Sequence, residues 1–321
     1  MKLQTKIPLE KQSKNPIDYK SNLLLIGSCF VENIGNKLDY FKFQNTQNPF
    51  GILFHPKAIE NLITHAINEK VYSEEAVFFH NEQWHCYSTH SKLSNASKER
   101  LLDDLNRNIK STNQQIQEST HVVITLGTAW VYRSVNTKEI VANCHKIPQK
   151  QFTKELLSVD EISKSIASIV SSIRSVNSKA SIIFTVSPIR HIKDGFIENT
   201  WSKAHLISAI HQFINQKSSI VNRQSFYFPS YEIMMDELRD YRFYKDDMVH
   251  PSETAIIYIW EKFLKVWISN EALNVMEEID TIQKGLQHKP FNPESEAHQR
   301  FLQNLEAKIN KLQSQIPRLL F

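Results

Sequence analysis

Short aliphatic runs are separated along this chain by longer segments in which apolar and polar residues mix. The runs are LLLI at 23–26, VVITL at 122–126 and SIIFTV at 181–186. None of them alternates strictly between apolar and polar residues, which is typical of strands buried on both faces of a parallel sheet. A further run, SFYFPSYEI at 225–233, is a fourth candidate strand. The pattern therefore predicts a buried sheet built from these runs.

The segments between these runs carry apolar residues at helical spacing. After the first run, Phe30, Ile34 and Leu38 are spaced by fours, and a proline opens the segment at 56–70. Both features predict amphipathic helices. Further helices are predicted at 97–117, 159–176, 199–216 and 253–268. Because short apolar strands alternate with helices, the pattern predicts an α/β fold with a mostly parallel sheet and helices on both faces.

Some parts of the chain depart from this alternation. The sequence pattern predicts a β-hairpin insertion at residues 130–142 and one or two strands at residues 76–89. Residues 294–316 predict one long amphipathic helix with a single apolar stripe: Ala297, Phe301, Leu305, Ile309, Leu312 and Ile316. We expect this stripe to pack on the body of the same chain, with a dimer contact as the alternative. We therefore divide the chain into a domain at 1–270 and a C-terminal helical extension at 271–321.

Charge and composition exclude several classes of protein. The 38 Lys and Arg residues nearly balance the 34 Asp and Glu residues. A net charge of +4 over this length does not indicate a nucleic-acid-binding surface. No apolar run approaches the length of a membrane span, and the first residues lack the apolar core of a signal peptide. These features predict a cytoplasmic protein without a membrane span. Three cysteines do not indicate a disulfide framework.

The usual signatures of cofactor sites are missing from the sequence. It contains neither G-x-G-x-x-G nor a Walker sequence, which disfavours nucleotide binding. His80, His85 and His90 are five residues apart, which fits neither one strand face nor one helix face. No tight cluster of cysteine or carboxylate residues accompanies them. The sequence therefore predicts no metal site and no organic cofactor.

Candidate chemistry appears where the first predicted strand ends. Ser28 follows Gly27 and precedes a helix, and functional groups of open parallel sheets collect beyond the carboxyl ends of the strands. A serine hydroxyl needs a base, and the base needs an orienting group. Asp247 and His250 form a D-x-x-H run that can place a carboxylate behind an imidazole. Such runs are common, and Asp247 could equally cap a turn. The run therefore indicates a catalytic pair only because the Gly-Ser turn occurs in the same chain.

Several segments of the chain resemble one protein family. GSCF at 27–30 resembles the signature that names the GSCFA-domain family, although Val31 stands where the name has alanine. The segments TLGTAWVYR, NCHKIP, SPIRH, YFPSYE and VHPS also resemble that family, so the resemblance covers roughly residues 20–265. Glycine turns at Gly51 and Gly127, together with the late D-x-x-H, resemble the wider SGNH (GDSL-type) hydrolases. The resemblance implies a three-layer α/β/α sandwich of the flavodoxin-like kind and ester-hydrolase chemistry.

The resemblance also assigns roles to individual residues. It implies that Ser28 is the nucleophile, that His250 is the base and that Asp247 is the carboxylate that orients the base. Cys29 adjoins Ser28, so a thiol nucleophile is the alternative. Adjacent side chains in a turn point in different directions, and by the family match we interpret Cys29 as a small buried group.

An oxyanion hole is the second implied element of the site. The resemblance implies that the N–H groups of Ser28 and Gly51 contribute to it. SGNH hydrolases have an asparagine two residues after their third glycine, where this chain has Ala129. Thr128 is the predicted replacement donor; the alternatives are Asn48, another group, or an oxyanion hole with only two donors. Further candidates for the substrate pocket are Asn48, Trp130, His145, Lys146, Arg190 and His191.

The function implied by this resemblance is that of a serine ester hydrolase. It would act through an acyl-enzyme on a small acyl ester, such as an O-acetyl group of a carbohydrate, without a cofactor. An O-acyltransferase with the same three catalytic residues is one alternative, because an alcohol can replace water as the acyl acceptor. A non-catalytic binding module on a hydrolase fold is the other, since the expected asparagine is absent.

Overall fold

The computed structural model describes residues 5–216 and 224–321. Its strands are β1 (Asn22–Gly27), β2 (Gln44–Gln47), β3 (Phe78–His80), β4 (Gln83–His85), β5 (His121–Leu126), β6 (Trp130–Ser134), β7 (Ile140–Val141), β8 (Phe152–Leu156), β9 (Ser181–Val186) and β10 (Ser225–Phe228). Its α-helices are α1 (Phe30–Tyr40), α2 (Pro56–Ile67), α3 (Lys98–Glu118), α4 (Val159–Val176), α5 (Phe196–Ile214), α6 (Ser230–Glu232), α7 (Glu253–Trp267), α8 (Asn270–Gln287) and α9 (Glu296–Gln315). Over the described residues, no helix is both long and apolar enough to cross a membrane.

A five-stranded parallel sheet forms the centre of the fold, in the order β10-β9-β5-β1-β2. Three of the predicted strands are the inner strands β1, β5 and β9, whose residues are buried from end to end. The fourth, β10, ends at Phe228 rather than continuing to Ile233 as predicted. Pro229 follows it, and proline has no N–H to donate to a ladder. The predicted α/β class with a mostly parallel sheet is confirmed.

Alternate residues of β1 enter two separate hydrophobic cores. Leu24 and Ile26 pack with residues of α2, α3, α4 and α5, whereas Leu23 and Leu25 pack with residues of α1, α7, α8 and α9. Successive side chains of a strand point to opposite faces of the sheet. The two cores therefore lie on opposite faces, each under its own layer of helices, and the fold is a three-layer α/β/α sandwich.

The edge strand β2 is a strand that the hydrophobic pattern does not predict. Its sequence, QNTQ, has no apolar residue, and none of its residues is fully buried. It pairs with β1 in the register Leu24↔Thr46. An edge strand of this kind is held by the backbone ladder of its neighbour rather than by an apolar face of its own.

Two small antiparallel sheets lie outside the central sheet. The residues of the predicted hairpin form β6 and β7, with Tyr132 opposite Val141. β8 pairs with the other side of β6, with Trp130 opposite Leu156, and this third strand was not predicted. The strands β3 and β4, within the region predicted to contain one or two strands, pair with each other, and Trp84 of β4 also bridges to Asn95.

The C-terminal helices pack on the face of the sheet that carries α1 and α7. Leu305 and Leu312 of α9 are buried in the same core as Trp260 of α7. Leu305 also lies against Gly285 of α8, where an added Cβ would be 2.7 Å from the leucine Cδ1. By contrast, Phe301 of the predicted stripe is 37% exposed. The stripe thus contacts the body of the chain through only part of its length.

Candidate active site

The turn that follows β1 is fixed by its neighbours in the sheet. Gly27 has a φ of +144°, and an added Cβ would lie 2.1 Å from Thr125 O, so glycine is required there. The Gly27 N–H donates to Asn48 Oδ1 (2.9 Å), and the Ser28 N–H donates to Thr125 O (3.0 Å). The turn is therefore tied both to β5 and to the loop after β2.

Ser28 and Cys29 have different surroundings in this turn. Ser28 is fully buried, and its Oγ accepts a hydrogen bond from the Phe30 N–H (3.4 Å). Cys29 is partly exposed and occupies the N-cap position of α1. Burial raises the pKa of the Cys29 thiol, whereas the N–H groups of Cys29 and Phe30 and the charge of Lys203 oppose that rise. Of these two residues, only Cys29 therefore has surface that is open to solvent.

Asp247 and His250 form a hydrogen-bonded pair on a surface loop. Asp247 Oδ2 lies 2.7 Å from His250 Nδ1, and Asp247 Oδ1 accepts from the N–H groups of Val249 and His250, each at 2.9 Å. These hydrogen bonds lower the pKa of Asp247 to about 2. Among the residues that the structure describes, no hydrogen bond joins His250 to Ser28 or Cys29. The second ring nitrogen, Nε2, is thus available to a substrate or a nucleophile.

Arg190 connects this loop to the end of β9. Its N–H donates to Val249 O (3.3 Å), and its guanidinium lies over the ring of Tyr244, 5.5 Å from the centroid. Its Nη2 also lies 3.6 Å from Met235 Sδ. The predicted pocket residue Arg190 therefore supports the loop that carries the imidazole.

His191 lies between this loop and the end of β5. Its Nε2 would be 3.2 Å from a Cβ added at Gly127, and its ring meets that of Phe54 edge-on. Burial, followed by the charges of Lys203 and His250, lowers the pKa of His191 to about 3. Its buried Nε2 has no hydrogen-bond partner among the described residues. The hydrogen bond from Arg190, the residue before His191, to Val249 O places the loop close to the end of β9.

The three predicted oxyanion donors already have partners within the protein. The Ser28 N–H donates to Thr125 O, the Gly51 N–H to Asn48 O (2.8 Å) and the Thr128 N–H to Phe54 O (3.1 Å). The Thr128 hydroxyl is shared with Ser202 Oγ at 3.0 Å.

Asn48, the alternative donor, has an unused N–H group. Its Oδ1 accepts from Gly27, whereas its buried Nδ2 has no partner among the described residues. The Cys29 N–H likewise has no carbonyl partner in the described part of the chain. These two groups are therefore the donors at the β1–α1 turn that remain free to bind an oxyanion.

Three predicted pocket residues lie apart from these contacts. Trp130 Nε1 donates to Glu198 O (3.2 Å) on α5. His145 is buried, donates from Nε2 to Cys86 O (2.8 Å) and has its pKa lowered to about 4 by burial. Lys146 is exposed. Within the described residues, none of the three makes a hydrogen bond or ring contact with the β1–α1 turn or with the Asp247–His250 loop.

Lys203 on α5 is a buried charge that the sequence analysis did not single out. Its Nζ donates to Gly127 O and to Ser187 O, each at 2.7 Å, and so bridges the ends of β5 and β9. Burial lowers its pKa to about 7. The sequence does carry a signal, because Lys203 is in phase with Leu206 and Ile210 on the buried face of α5. A lysine at an apolar position of a helix indicates a buried ammonium with a specific partner.

The groups collected at this edge are suited to acyl transfer. They comprise an imidazole paired with a carboxylate, a thiol at a helix N-terminus and unpaired N–H donors beside it. In the described part of the chain, no three His, Cys, Asp or Glu side chains are grouped so that they could hold a metal ion.

One solved structure similar to this chain is an acetyl xylan esterase from the rumen bacterium Butyrivibrio proteoclasticus. The TM-score is 0.39 and the sequence identity is 10%. The match covers 85% of this chain and 66% of the esterase chain, so this chain spans just under two thirds of the esterase's length. No curated protein matches the chain.

Two family models match the sequence. The model described as the GSCFA family matches residues 22–263, and the model described as the GSCFA domain protein, C-terminal domain, matches residues 279–321. The first match includes the GSCF turn and the Asp247–His250 loop and covers most of the chain. The chain therefore belongs to the GSCFA family.

Proposed function

We propose that this protein hydrolyses small acyl esters, with His250 as the general base and with a nucleophile from the β1–α1 turn. The observation that carries the proposal is the contact of 2.7 Å between His250 Nδ1 and Asp247 Oδ2. A carboxylate in this position favours the tautomer with hydrogen on Nδ1 and leaves the Nε2 lone pair free to accept a proton. An imidazole prepared in this way is the usual base for a serine or cysteine nucleophile.

The position of the pair supports the same proposal. Arg190 ties the loop to the end of β9, and the end of β9 is hydrogen-bonded to β5 through the Ser187 N–H and Leu126 O. Thr125 O of β5 in turn accepts a hydrogen bond from the Ser28 N–H. The base and the candidate nucleophiles thus belong to one continuous edge of the sheet, where active sites of open α/β folds lie.

The proposed reaction has two steps. The nucleophile attacks the ester carbonyl while His250 Nε2 takes its proton, and the same proton then passes to the departing alcohol. Water next attacks the acyl-enzyme with the help of His250, and the carboxylic acid leaves. The negative charge that develops on the carbonyl oxygen is placed near the free N–H donors of Asn48 and Cys29.

Hydrolysis of p-nitrophenyl esters tests this proposal. We expect saturable release of p-nitrophenol from the acetate ester, with an initial burst close to the enzyme concentration, because an acyl-enzyme forms before it is hydrolysed. A series of longer acyl chains would then define the acyl group that is accepted. Rates no greater than those of a protein in which His250 is replaced by alanine, for every acyl chain in the series, would overturn the proposal.

A further inference from the structure

We propose that Cys29, rather than Ser28, is the nucleophile of this site, so that the acyl group is carried as a thioester. The inference rests on the proposed function and replaces its nucleophile. It concerns two adjacent residues that the sequence alone cannot rank, because both follow the same strand and precede the same helix.

Access to solvent distinguishes the two side chains. Ser28 has no exposed surface, and its Oγ is in contact with the Phe30 N–H. Its own N–H is occupied by Thr125 O. An ester carbonyl could reach this hydroxyl only if the turn moved, because the Ser28 side chain has no surface open to solvent. Cys29, in the same turn, packs against the core beneath α1 but keeps part of its surface open to solvent.

The thiol also has the surroundings that an attacking sulfur needs. It lies at the first turn of α1, where the N–H groups of Cys29 and Phe30 stabilise a thiolate. The carboxylate of Glu32 opposes the thiolate, and the ammonium of Lys203, held by two carbonyl oxygens, favours it. Because burial still raises the pKa of Cys29, the thiol is protonated at neutral pH, and its attack requires a base. His250 supplies that base in the proposed function.

An independent observation points to a ligand beside this turn. Asn48 is 9% exposed, and its buried Nδ2 has no hydrogen-bond partner among the described residues. Its Oδ1 is bound by the Gly27 N–H, which holds the amide against the turn that carries Cys29. A buried donor without a partner costs about 1–3 kcal/mol, so such groups are commonly kept for a ligand. The oxyanion formed when Cys29 attacks a carbonyl is a ligand of the required charge and size.

The chemistry of the proposed step balances without any further reagent except water. The S–H proton of Cys29 moves to His250 Nε2 as the C–S bond forms and the carbonyl electrons move onto oxygen. When the carbonyl re-forms, the C–O bond to the alcohol breaks, and the alcohol leaves with the proton from His250. Water then adds to the thioester, the C–S bond breaks, the acid is released and the sulfur regains a proton.

The test is to trap the acyl group and identify the atom that holds it. Wild-type protein is mixed with p-nitrophenyl acetate, quenched in acid during turnover and mapped by peptide mass spectrometry. We expect one acetyl group on the peptide that contains Ser28 and Cys29, and we expect neutral hydroxylamine to remove it, since thioesters react with hydroxylamine far faster than serine esters. The label should be absent from Cys29→Ala and should still form, with the same hydroxylamine sensitivity, in Ser28→Ala.

A matched control and a second readout complete the design. Cys144 is also partly exposed, and Cys144→Ser should retain both the activity and the label. Iodoacetamide should inactivate wild type in step with alkylation of Cys29, at the same rate in Cys144→Ser, even if the thioester is too short-lived to accumulate. Circular dichroism and thermal melting establish that each variant is folded.

The outcomes separate this inference from the proposed function. Turnover with a hydroxylamine-stable label, a label that survives in Cys29→Ala, or full activity after complete alkylation of Cys29 overturns the inference and leaves ester hydrolysis intact. Wild-type protein that neither hydrolyses the ester nor retains acetyl overturns both.

Discussion

The β1–α1 turn follows β1, and the Asp247–His250 loop is joined to the residues after β9 through Arg190; the two are held in place differently. The turn depends on contacts that are distant in sequence, from Thr125 and Asn48. In the loop, one carboxylate binds the imidazole and two N–H groups within three residues, and the Arg190 N–H adds one distant contact to Val249 O. Ser28 is fully buried, whereas the His250 side chain is 43% exposed.

From this difference in burial and contacts we infer which substitutions should affect catalysis and which should affect folding. A side chain that is exposed on a loop can be removed at little cost to stability. A side chain in a buried turn that is fixed by long-range hydrogen bonds cannot, since each lost partner leaves a buried polar group unpaired. Substitutions in the loop should therefore separate activity from stability, and substitutions around the turn should couple them.

The largest effect on activity is expected when the imidazole is removed. His250→Ala should lower kcat/KM for p-nitrophenyl acetate by about 10²–10⁴-fold, because the nucleophile loses its general base. The thermal midpoint should stay close to that of wild type, since the side chain is 43% exposed. His288→Ala, at an exposed position after α8, is the matched control and should leave both quantities unchanged. Wild-type activity in His250→Ala would remove the loop from the mechanism.

The next effect concerns the unpaired amide of Asn48. Asn48→Asp keeps an Oδ1 acceptor for the Gly27 N–H, deletes the amide donor and adds a negative charge that also opposes an oxyanion. We expect kcat to fall by about 10²–10³-fold with little change in KM, as for the loss of one oxyanion donor. Asn136→Asp, in the exposed turn between β6 and β7, serves as the control. A change in KM without a change in kcat would assign Asn48 to substrate binding instead.

Lys203 should couple the stability of this edge to pH. Its pKa is lowered from 10.5 in the unfolded chain to about 7 in the folded protein. Between these values the unfolded chain binds more protons at this site than the folded chain does, so stability rises with pH by at most about 1.4 kcal/mol per pH unit. Denaturant unfolding just above pH 7 and again near pH 9 should show this rise.

Lys203→Met should lack that rise, because it has no group to titrate. It should also be less stable than wild type at the higher pH, since Gly127 O and Ser187 O lose their donor. Equal pH dependence in the two proteins would show that Lys203 is not the titrating group.

The smallest effect is expected from an ion pair between the helices that follow the two regions. Lys37 on α1 and Glu253 at the start of α7 are 2.7 Å apart, with side chains 25% and 68% exposed. Exposed pairs of this kind contribute about 1 kcal/mol or less, so Glu253→Gln should shift the free energy of unfolding by no more than that. Its kcat/KM should equal that of wild type. A marked loss of activity would mean that the ion pair positions the Asp247–His250 loop.

The sequence predicts the parts of this fold that depend on local patterns. The strands β1, β5 and β9 are uninterrupted apolar runs, and α4 is bounded as predicted at Val159–Val176, where Ser158 and Glu161 form a capping box. β2 could not be predicted, because it has no apolar residue and is paired with β1 through the backbone. β10 was predicted too long, since Tyr231 belongs to a helical turn after Pro229.

In the candidate site, too, the sequence predicts the local contacts but not those between distant residues. The contact between Asp247 and His250 is local, and the D-x-x-H spacing predicts it. The surroundings of Ser28 and Cys29 depend on how β1 is aligned with β5, which no local pattern reveals. For the same reason, the sequence does not reveal that the N–H groups of Ser28 and Gly51 are already paired. The assignment of Ser28 as nucleophile and of Gly51 and Thr128 as oxyanion donors stays a prediction from the family resemblance.

A double-mutant cycle tests most directly whether the turn and the loop form one catalytic unit. The values of kcat/KM for p-nitrophenyl acetate would be measured for Cys29→Ala, His250→Ala and the combined variant. Residues that act together are strongly non-additive. We therefore predict that the combined variant is no slower than the slower single variant, with both single variants far below wild type. Losses that multiply, or a Cys29→Ala variant as active as wild type, would contradict the account.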